Sequence, residues 1–172
     1  MTTITVDRHD LAILNELQRD GQLTNSTLGE RIHLSTSQVG RRVQRLEEAG
    51  VIDHYAAVLD PLVVGLDVMA FVQVTLDRHG ETRGEVFEQA VADLPEVLEC
   101  FSVTGEADYI VRVISHDLNS FSKFMMDGLL RIPGVTNVKS NISLKKVKQV
   151  TILPLDHLAQ PKLSKQRVQF SA

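Results

Sequence analysis

Cysteine is nearly absent from this chain: Cys100 is the single one in 172 residues. That excludes an intramolecular disulfide framework and leaves no cysteine cluster for zinc. Long hydrophobic runs are missing too. Nothing reaches the roughly 18 to 20 apolar residues of a membrane span, and Met1 to Asp10 contains no apolar signal segment. Nor is there an excess of positive charge, since 18 Lys and Arg against 22 Asp and Glu give a formal charge of -4. Such a surface does not coat nucleic acid or anionic membrane as a whole, so any nucleic-acid contact has to be local. The six histidines, His9, His33, His54, His79, His116 and His157, show no metal-ligand spacing. No Gly-rich phosphate loop, nucleophile elbow, internal repeat or low-complexity segment appears. The expectation is a soluble cytoplasmic protein without cofactor, metal or catalytic site.

What is present is a core-forming composition, 43% apolar, with room for one or two domains. The most informative stretch runs from Ser35 to Gly50. Ser35 followed by Gln38 is a capping-box pattern that starts a helix, and Gly50 is the residue type that ends one. Val39, Val43 and Leu46 form one apolar face, with Arg41, Arg42 and Arg45 off that stripe and Ser37 and Gln38 near the start. A helix with an apolar back and a basic, hydrogen-bonding front suits a DNA groove. Ahead of it, Asp7 caps a helix running to Asp20 with Leu11, Ile13, Leu14 and Leu17 at helical spacing. Thr24 then caps a short helix in which Leu28 and Ile32 face inward and Gly29 permits close approach of a neighbouring helix. Thr27 leaves that cap half built, and His33-Leu34 form the turn. Three helices so arranged make a helix-turn-helix. Arg31 to Leu46 contains four arginines and no acid, which predicts a recognition face clear of phosphate-repelling charge.

The remainder follows another rhythm. His54 to Asp60 reads as a strand ended by Pro61, and Pro61 to Asp67 as a hinge. Val68 to Leu76 is a strand, and Glu81 to Leu94 a helix with Val86, Phe87, Ala90, Val91 and Leu94 inward. Val97 to Thr104 and Tyr109 to Ser115 are strands joined across a Gly105 turn, and Cys100 reads as a core residue of the first. Asp117 to Arg131 is a helix with Leu118, Phe121, Phe124, Met125 and Leu129 inward. Val135 to Leu144 is a strand with Val138, Ser140, Ile142 and Leu144 on one face. The order βαββαβ is ferredoxin-like, an antiparallel sheet with helices on one face, whose bare face a second copy would cover. Lys145 to Leu153 reads as an edge strand. Beyond Pro154 the tail, with Pro161, Lys162, Lys165 and Arg167, lacks an apolar stripe and is expected to be partly disordered. The predicted class is α+β: residues 1–53 a helix-turn-helix (winged-helix-like) domain, 54–67 a linker strand and hinge, 68–153 a ferredoxin-like sensing and dimerisation domain, and 154–172 a tail.

Leu34-Ser35, Arg42, Val43, Arg45-Leu46-Glu47 and Gly50-Val51-Ile52, with Thr104-Gly105-Glu106-Ala107-Asp108-Tyr109, Leu130, Pro133-Gly134-Val135 and Val147-Lys148 later, resemble the Lrp/AsnC (feast/famine) transcription regulators. The resemblance spans roughly residues 6 to 153. It implies binding to double-stranded DNA, a homodimer built on the ferredoxin-like domain that assembles to a tetramer or octamer, and a small-molecule effector, usually an amino acid. It also implies an effector pocket between dimers, nominating Thr104, Gly105, Glu106, Asp108 and Tyr109 of the turn and Asn141 and Ser143 of the last strand. The chain departs from the family pattern at Glu106, at Ser143, at Lys145-Lys146 and at Gln38-Val39-Gly40, which changes the expected effector and operator.

For the DNA site, Ser37, Gln38 and Arg41 are the expected base readers, because Arg pairs with guanine and Gln with adenine through two hydrogen bonds each. Arg42 and Arg45 are expected at phosphate, Arg42 able to serve either role, and Ser35 at a phosphate near the helix start. For the effector site, Asp108 would face an ammonium group; the plain alternative is a hairpin turn in which Asp108 caps amides and Gly105 permits positive φ. Two other functions compete: a tetrapyrrole decarboxylase-like enzyme on the same two-domain layout, and a sensor or assembly module without DNA binding.

Overall fold

The computed structural model describes residues 4–77, 83–159 and 168–170. In chain order the elements are β1 (Ile4–Val6), α1 (Arg8–Arg19), α2 (Asn25–Ile32), α3 (Thr36–Glu48), β2 (Val68–Leu76), α4 (Arg83–Ala92), β3 (Val97–Ser102), β4 (Tyr109–Ser115), α5 (Leu118–Lys123), β5 (Val135–Ile142) and β6 (Val168–Phe170). They form two units, one of Met1–Ala57 with Lys148–Ala172, the other Val58–Val147.

In the first unit each helix starts where a side chain can satisfy its free amides. Asp7 accepts from the amides of His9 and Asp10, and Asp10 accepts from the Asp7 amide, a reciprocal box. Thr24 accepts from the Thr27 amide, and the two hydroxyls lie 3.0 Å apart. Ser35 and Gln38 form the second reciprocal box. Gly50, at φ +66°, follows the end of α3. Val6, Ile13, Leu14, Leu28, Val39 and Leu46 are buried together, with Val43 packed against them. Gly29 does permit a close approach, but of the turn: a Cβ there would lie 2.5 Å from the Leu34 carbonyl oxygen. His33 takes the left-handed conformation (φ 58°) that makes this turn tight.

Three sequence expectations change here. His54 to Asp60 pairs with no strand, and Tyr55 and Val58 stand exposed; alternation alone does not make a strand without a ladder partner. Lys145 to Leu153 adds no edge strand either, the last ladder bond running from the Ser143 amide to the Met69 carbonyl. The segment beyond Lys148 belongs instead to the first unit. The Leu153 amide donates to Gln18 Oε1 (2.6 Å), the Gln18 amide returns a bond to the Leu153 carbonyl (3.4 Å), Leu155 packs on the helical core, and Leu158 is buried in a 3-10 turn. β6 pairs in parallel with β1 from Ile4↔Val168 to Val6↔Phe170. The stretch 154–159 is therefore ordered by two leucines three apart, a spacing too short to read as a stripe. Pro161, Lys162, Lys165 and Arg167 lie outside the described residues, as do Glu81 and Thr82 of the expected fourth helix.

The second unit has the βαββαβ order and one antiparallel sheet in the order β3-β4-β2-β5. Alternation puts Val68, Ala70, Val72 and Val74 on the covered face opposite Tyr109, Val111 and Val113, where Phe87, Val91, Phe121, Phe124 and Leu129 close the core. Cys100 packs half-buried against this core. Val86 and Leu118, expected inward, are 45% and 58% exposed. The expected helix 117–131 is also broken: after α5 come a π turn (Phe124–Gly128) and a 3-10 turn (Leu129–Arg131). The wider turn lets Phe124 and Leu129, five residues apart, both face the core. On β5, Val138 reaches the core, whereas Ile142 at the end of the strand is 44% exposed and Leu144, beyond the strand, is fully exposed. The bare face of the sheet carries Phe71, 44% exposed, and Phe101, 55% exposed, beside an Arg112–Glu99 ion pair.

Candidate DNA interface and effector turn

The capping box fixes where α3 begins, and Val39 and Leu46, fully buried, fix which way it faces. Ser35, Ser37, Gln38, Arg41 and Arg45 consequently stand on the exposed side, with Arg42 half-buried. Their freedom differs. The Gln38 oxygen is engaged by the Ser35 amide (3.0 Å) and hydroxyl (2.9 Å), leaving its NH2 group to reach outward. Ser37 is 3.2 Å from the Ser35 hydroxyl. The Arg41 guanidinium makes only a long bond back to the Ser37 carbonyl (3.4 Å) among the bonds described.

The arginines behind it are held by acids. One Arg42 nitrogen lies 2.8 Å from both an Asp7 and an Asp10 oxygen, and Arg45 reaches the other Asp10 oxygen at 2.5 Å. Arg31 pairs with Glu16. The acid-free row of the sequence is thus not an acid-free face, because α1 and its N-cap lay Asp7, Asp10 and Glu16 against three of its four arginines. Burial works against the Asp7 charge, yet the Asp10 amide and Arg42 together hold its carboxyl below the ordinary range. Burial likewise opposes the Arg42 charge, and Asp10 and Asp7 raise its pKa. Asp7, Gln38, Arg41, Arg42 and Arg45 line one shallow cleft of about 340 Å³. Asp7 and Asp10 are the residues that charge counting along the chain misses. Their signal is the Asp-x-x-Asp box at the start of α1, which makes Asp10 an inward group needing a cation.

The turn 104–109 keeps Thr104, Gly105, Glu106 and Asp108 exposed. Gly105 has φ +126°, and the Asp108 carboxylate accepts from the Leu76 amide at 2.7 Å while its own amide donates to Val74. Both features belong to the plain hairpin reading. Tyr109 turns inward, its ring 4.7 Å from Phe87 and its hydroxyl donating to Glu88 at 2.7 Å. Burial and the Glu88 carboxylate push its pKa up to about 12. That hydroxyl stands at a cleft of about 360 Å³ between α4 and β3, which Val97, Cys100 and Ser102 also line.

Within one chain the structure does not bring Asn141 and Ser143 to this turn. Asn141 pairs with Phe71 on the bare face of the sheet, opposite the face that takes Tyr109. Ser143 bonds Met69, five residues along β2 from the Tyr109 partner Val74, or about 17 Å of strand. It lines a separate cleft of about 460 Å³ with Leu62, Leu66 and Met69. Among the described residues no group of three or more His, Cys, Asp or Glu side chains could hold a metal ion, and no helix is long and apolar enough to cross a membrane.

Comparison with known proteins matches the same two segments. Residues 6–53 match the model for a winged helix-turn-helix DNA-binding domain, and residues 69–153 that for the Lrp/AsnC ligand binding domain. The chain is 38% identical over 144 residues to the leucine-responsive regulatory protein of Escherichia coli (strain K12), covering 84% of this chain and 88% of that one. Among solved structures it resembles a transcriptional regulator from Neisseria meningitidis in complex with L-Met, at 44% identity and TM-score 0.86, over 89% of this chain and 99% of the other. It also resembles an AsnC family transcriptional regulator from Agrobacterium tumefaciens, at 34% identity and TM-score 0.84, with the same coverage.

Proposed function

The chain belongs to the Lrp/AsnC family of transcription regulators, and on that premise we propose that it reads paired DNA half-sites in the cytoplasm under control of an apolar amino acid. It is a DNA-binding regulator with an amino-acid-binding domain, and its relatives are regulators rather than enzymes. The observation that carries the DNA reading is the presentation of Ser37, Gln38 and Arg41 on one exposed side of a helix whose other side buries Val39 and Leu46 completely. In the proposed complex Arg41 and the free NH2 group of Gln38 contact base edges, with Ser37 beside them. Arg45 and Ser35 contact phosphate. Arg42, tied to two carboxylates, supports α3 more than it touches the backbone.

Leucine and methionine are the proposed effectors, because one relative is leucine-responsive and another was solved with L-Met. The proposed site joins Thr104, Gly105, Glu106, Asp108 and Tyr109 of one chain to Asn141 and Ser143 of another. The separation of the two groups within one chain supports a shared site. Phe71 and Phe101 support a dimer in which the bare sheet faces meet, and a tetramer or octamer follows if dimers share effector sites.

The test is genome-wide mapping of bound DNA, followed by titration of a recovered duplex with and without L-leucine and L-methionine. Footprints on paired half-sites that shift with either amino acid are expected. Binding that never exceeds that of a scrambled duplex, or that ignores every amino acid, would overturn the reading.

A further inference from the structure

We infer that Asp7 and Asp10 are specificity-determining residues that weaken sequence-independent attraction to phosphate and so make DNA binding depend on base contacts. The inference rests on the DNA-reading role of α3. Three guanidinium groups, Arg41, Arg42 and Arg45, share a cleft with Asp7, and buried Asp10 lies directly behind two of them. Two carboxylates therefore offset two of the three positive charges that an approaching phosphate meets.

The two acids are placed differently. The Asp10 side chain is 1% exposed with both oxygens engaged, one by Arg42 and the other by Arg45 and the Asp7 amide. It positions the arginines. The Asp7 side chain is 30% exposed and lines the cleft itself. A phosphate entering the same cleft at Arg41 or Arg45 meets its negative charge with only partial screening, the Debye length being roughly 10 Å at 0.1 M salt. Arg42, 27% exposed, keeps its charge largely turned toward the acids. Arg45 makes one acid contact and is 48% exposed, so its remaining donors still face outward.

Nonspecific binding lives almost entirely on phosphate contacts, whereas specific binding adds hydrogen bonds to base edges. Discounting the first term while leaving Arg41 and Gln38 free for the second raises the ratio between operator and random DNA. Asp7 thus has two jobs on separate atoms: Oδ1 caps α1, and Oδ2 faces Arg42.

The experiment uses the full chain, with anisotropy titrations of a duplex recovered by genome-wide mapping and of a scrambled duplex of equal composition, each at several salt concentrations. Asp7→Asn keeps a good capping oxygen and removes the charge. The expected result is roughly three- to tenfold tighter binding to the scrambled duplex at low salt, a salt slope steeper by up to about one, and a smaller gain on the mapped duplex. Asp7→Ala, which loses the cap as well, separates charge from folding: a purely structural role weakens both duplexes in Asp7→Ala and leaves Asp7→Asn like wild type. That pattern, or an unchanged slope in Asp7→Asn, would overturn the inference. Wild-type protein that binds the scrambled duplex but does not prefer the mapped one would count against the reading of α3 instead. Failure to bind either duplex would overturn both.

Discussion

The Asp108 carboxylate accepts a hydrogen bond from the Leu76 amide, 32 residues earlier, at 2.7 Å. One side chain thereby ties the β3–β4 turn to the end of β2. Asp108→Ala should leave that amide without its partner and destabilise the sheet unit by about 1 kcal/mol. Asp108→Asn retains an acceptor and should unfold near the wild-type temperature. If the charge also receives an amino-acid ammonium group, calorimetry with L-leucine or L-methionine will show weaker binding to Asp108→Asn despite unchanged stability. Equal affinity would leave Asp108 a turn residue only.

Both tyrosines are expected to resist ionisation in the native chain. Burial and the Glu88 carboxylate raise Tyr109 to about 12, and partial desolvation of the half-exposed Tyr55 together with its bond to Glu47 raises it to about 12 as well. The sequence has two tyrosines and no tryptophan, so tyrosinate absorbance reports them cleanly. The native titration should rise near pH 12 and the denatured one near pH 10. Because the folded values are raised, the associated stability is complete below about pH 10 and declines as pH climbs toward 12.

Acid should act on the helical unit with the opposite sign. The lowered pKa of Asp7 means that its contribution is present above the unfolded value, near 3.9, and is lost as pH falls through the folded value. Thermal unfolding followed by helical circular dichroism should show a falling midpoint below about pH 4. In Asp7→Asn that part of the pH dependence should be smaller.

Gly29→Ala is expected to be severe for a one-carbon change. The added Cβ would sit 2.5 Å from the Leu34 carbonyl oxygen, a backbone atom of the turn that precedes α3. Overpacking of this kind costs about 1 to 3 kcal/mol, and the strain falls on the angle between α2 and α3. Denaturant unfolding should show the loss, and DNA affinity should fall further than in Gly50→Asn, where the glycine has φ +66° and open space around it.

Assembly should depend on the bare sheet face. Phe71→Glu combined with Phe101→Glu puts carboxylates where two exposed rings now stand, while the covered face is untouched. Sedimentation is expected to show a shift toward monomer with unchanged secondary structure. An unaltered oligomer would place the contact elsewhere.

Local chemistry made most of the fold legible. Caps at Asp7, Thr24 and Ser35 act within three residues, and the alternation of β2 and β4 records burial on one face directly. Features set by distant partners were not legible. Asp10 and Arg42 are 32 positions apart, Gln18 and Leu153 are 135 apart, and neither pairing leaves a periodic trace. Val86 and Leu118 fit helical stripes yet stand largely exposed, and the π turn after α5 shifts its own register. For the site, the exposure of Ser37, Gln38 and Arg41 followed from the helix pattern. The restraint on Arg42 and Arg45 did not, because charge counted along a chain ignores the helix that crosses it. The turn at Gly105 was readable as a turn, while the distance from it to Ser143 required the strand register.

The return of the chain to its first unit has a consequence during synthesis. A ribosome releases α1, α2 and α3 first, and their shared core can assemble while the sheet unit is still being made. The Gln18–Leu153 clasp, the Leu155 and Leu158 anchors and the β1–β6 pair must wait for residues 153–170 to emerge. A transcript cut short after residue 147 would therefore encode a helical unit without its clasp, attached to a complete sheet. Such a product keeps α3 but loses the second covalent tether between the two units.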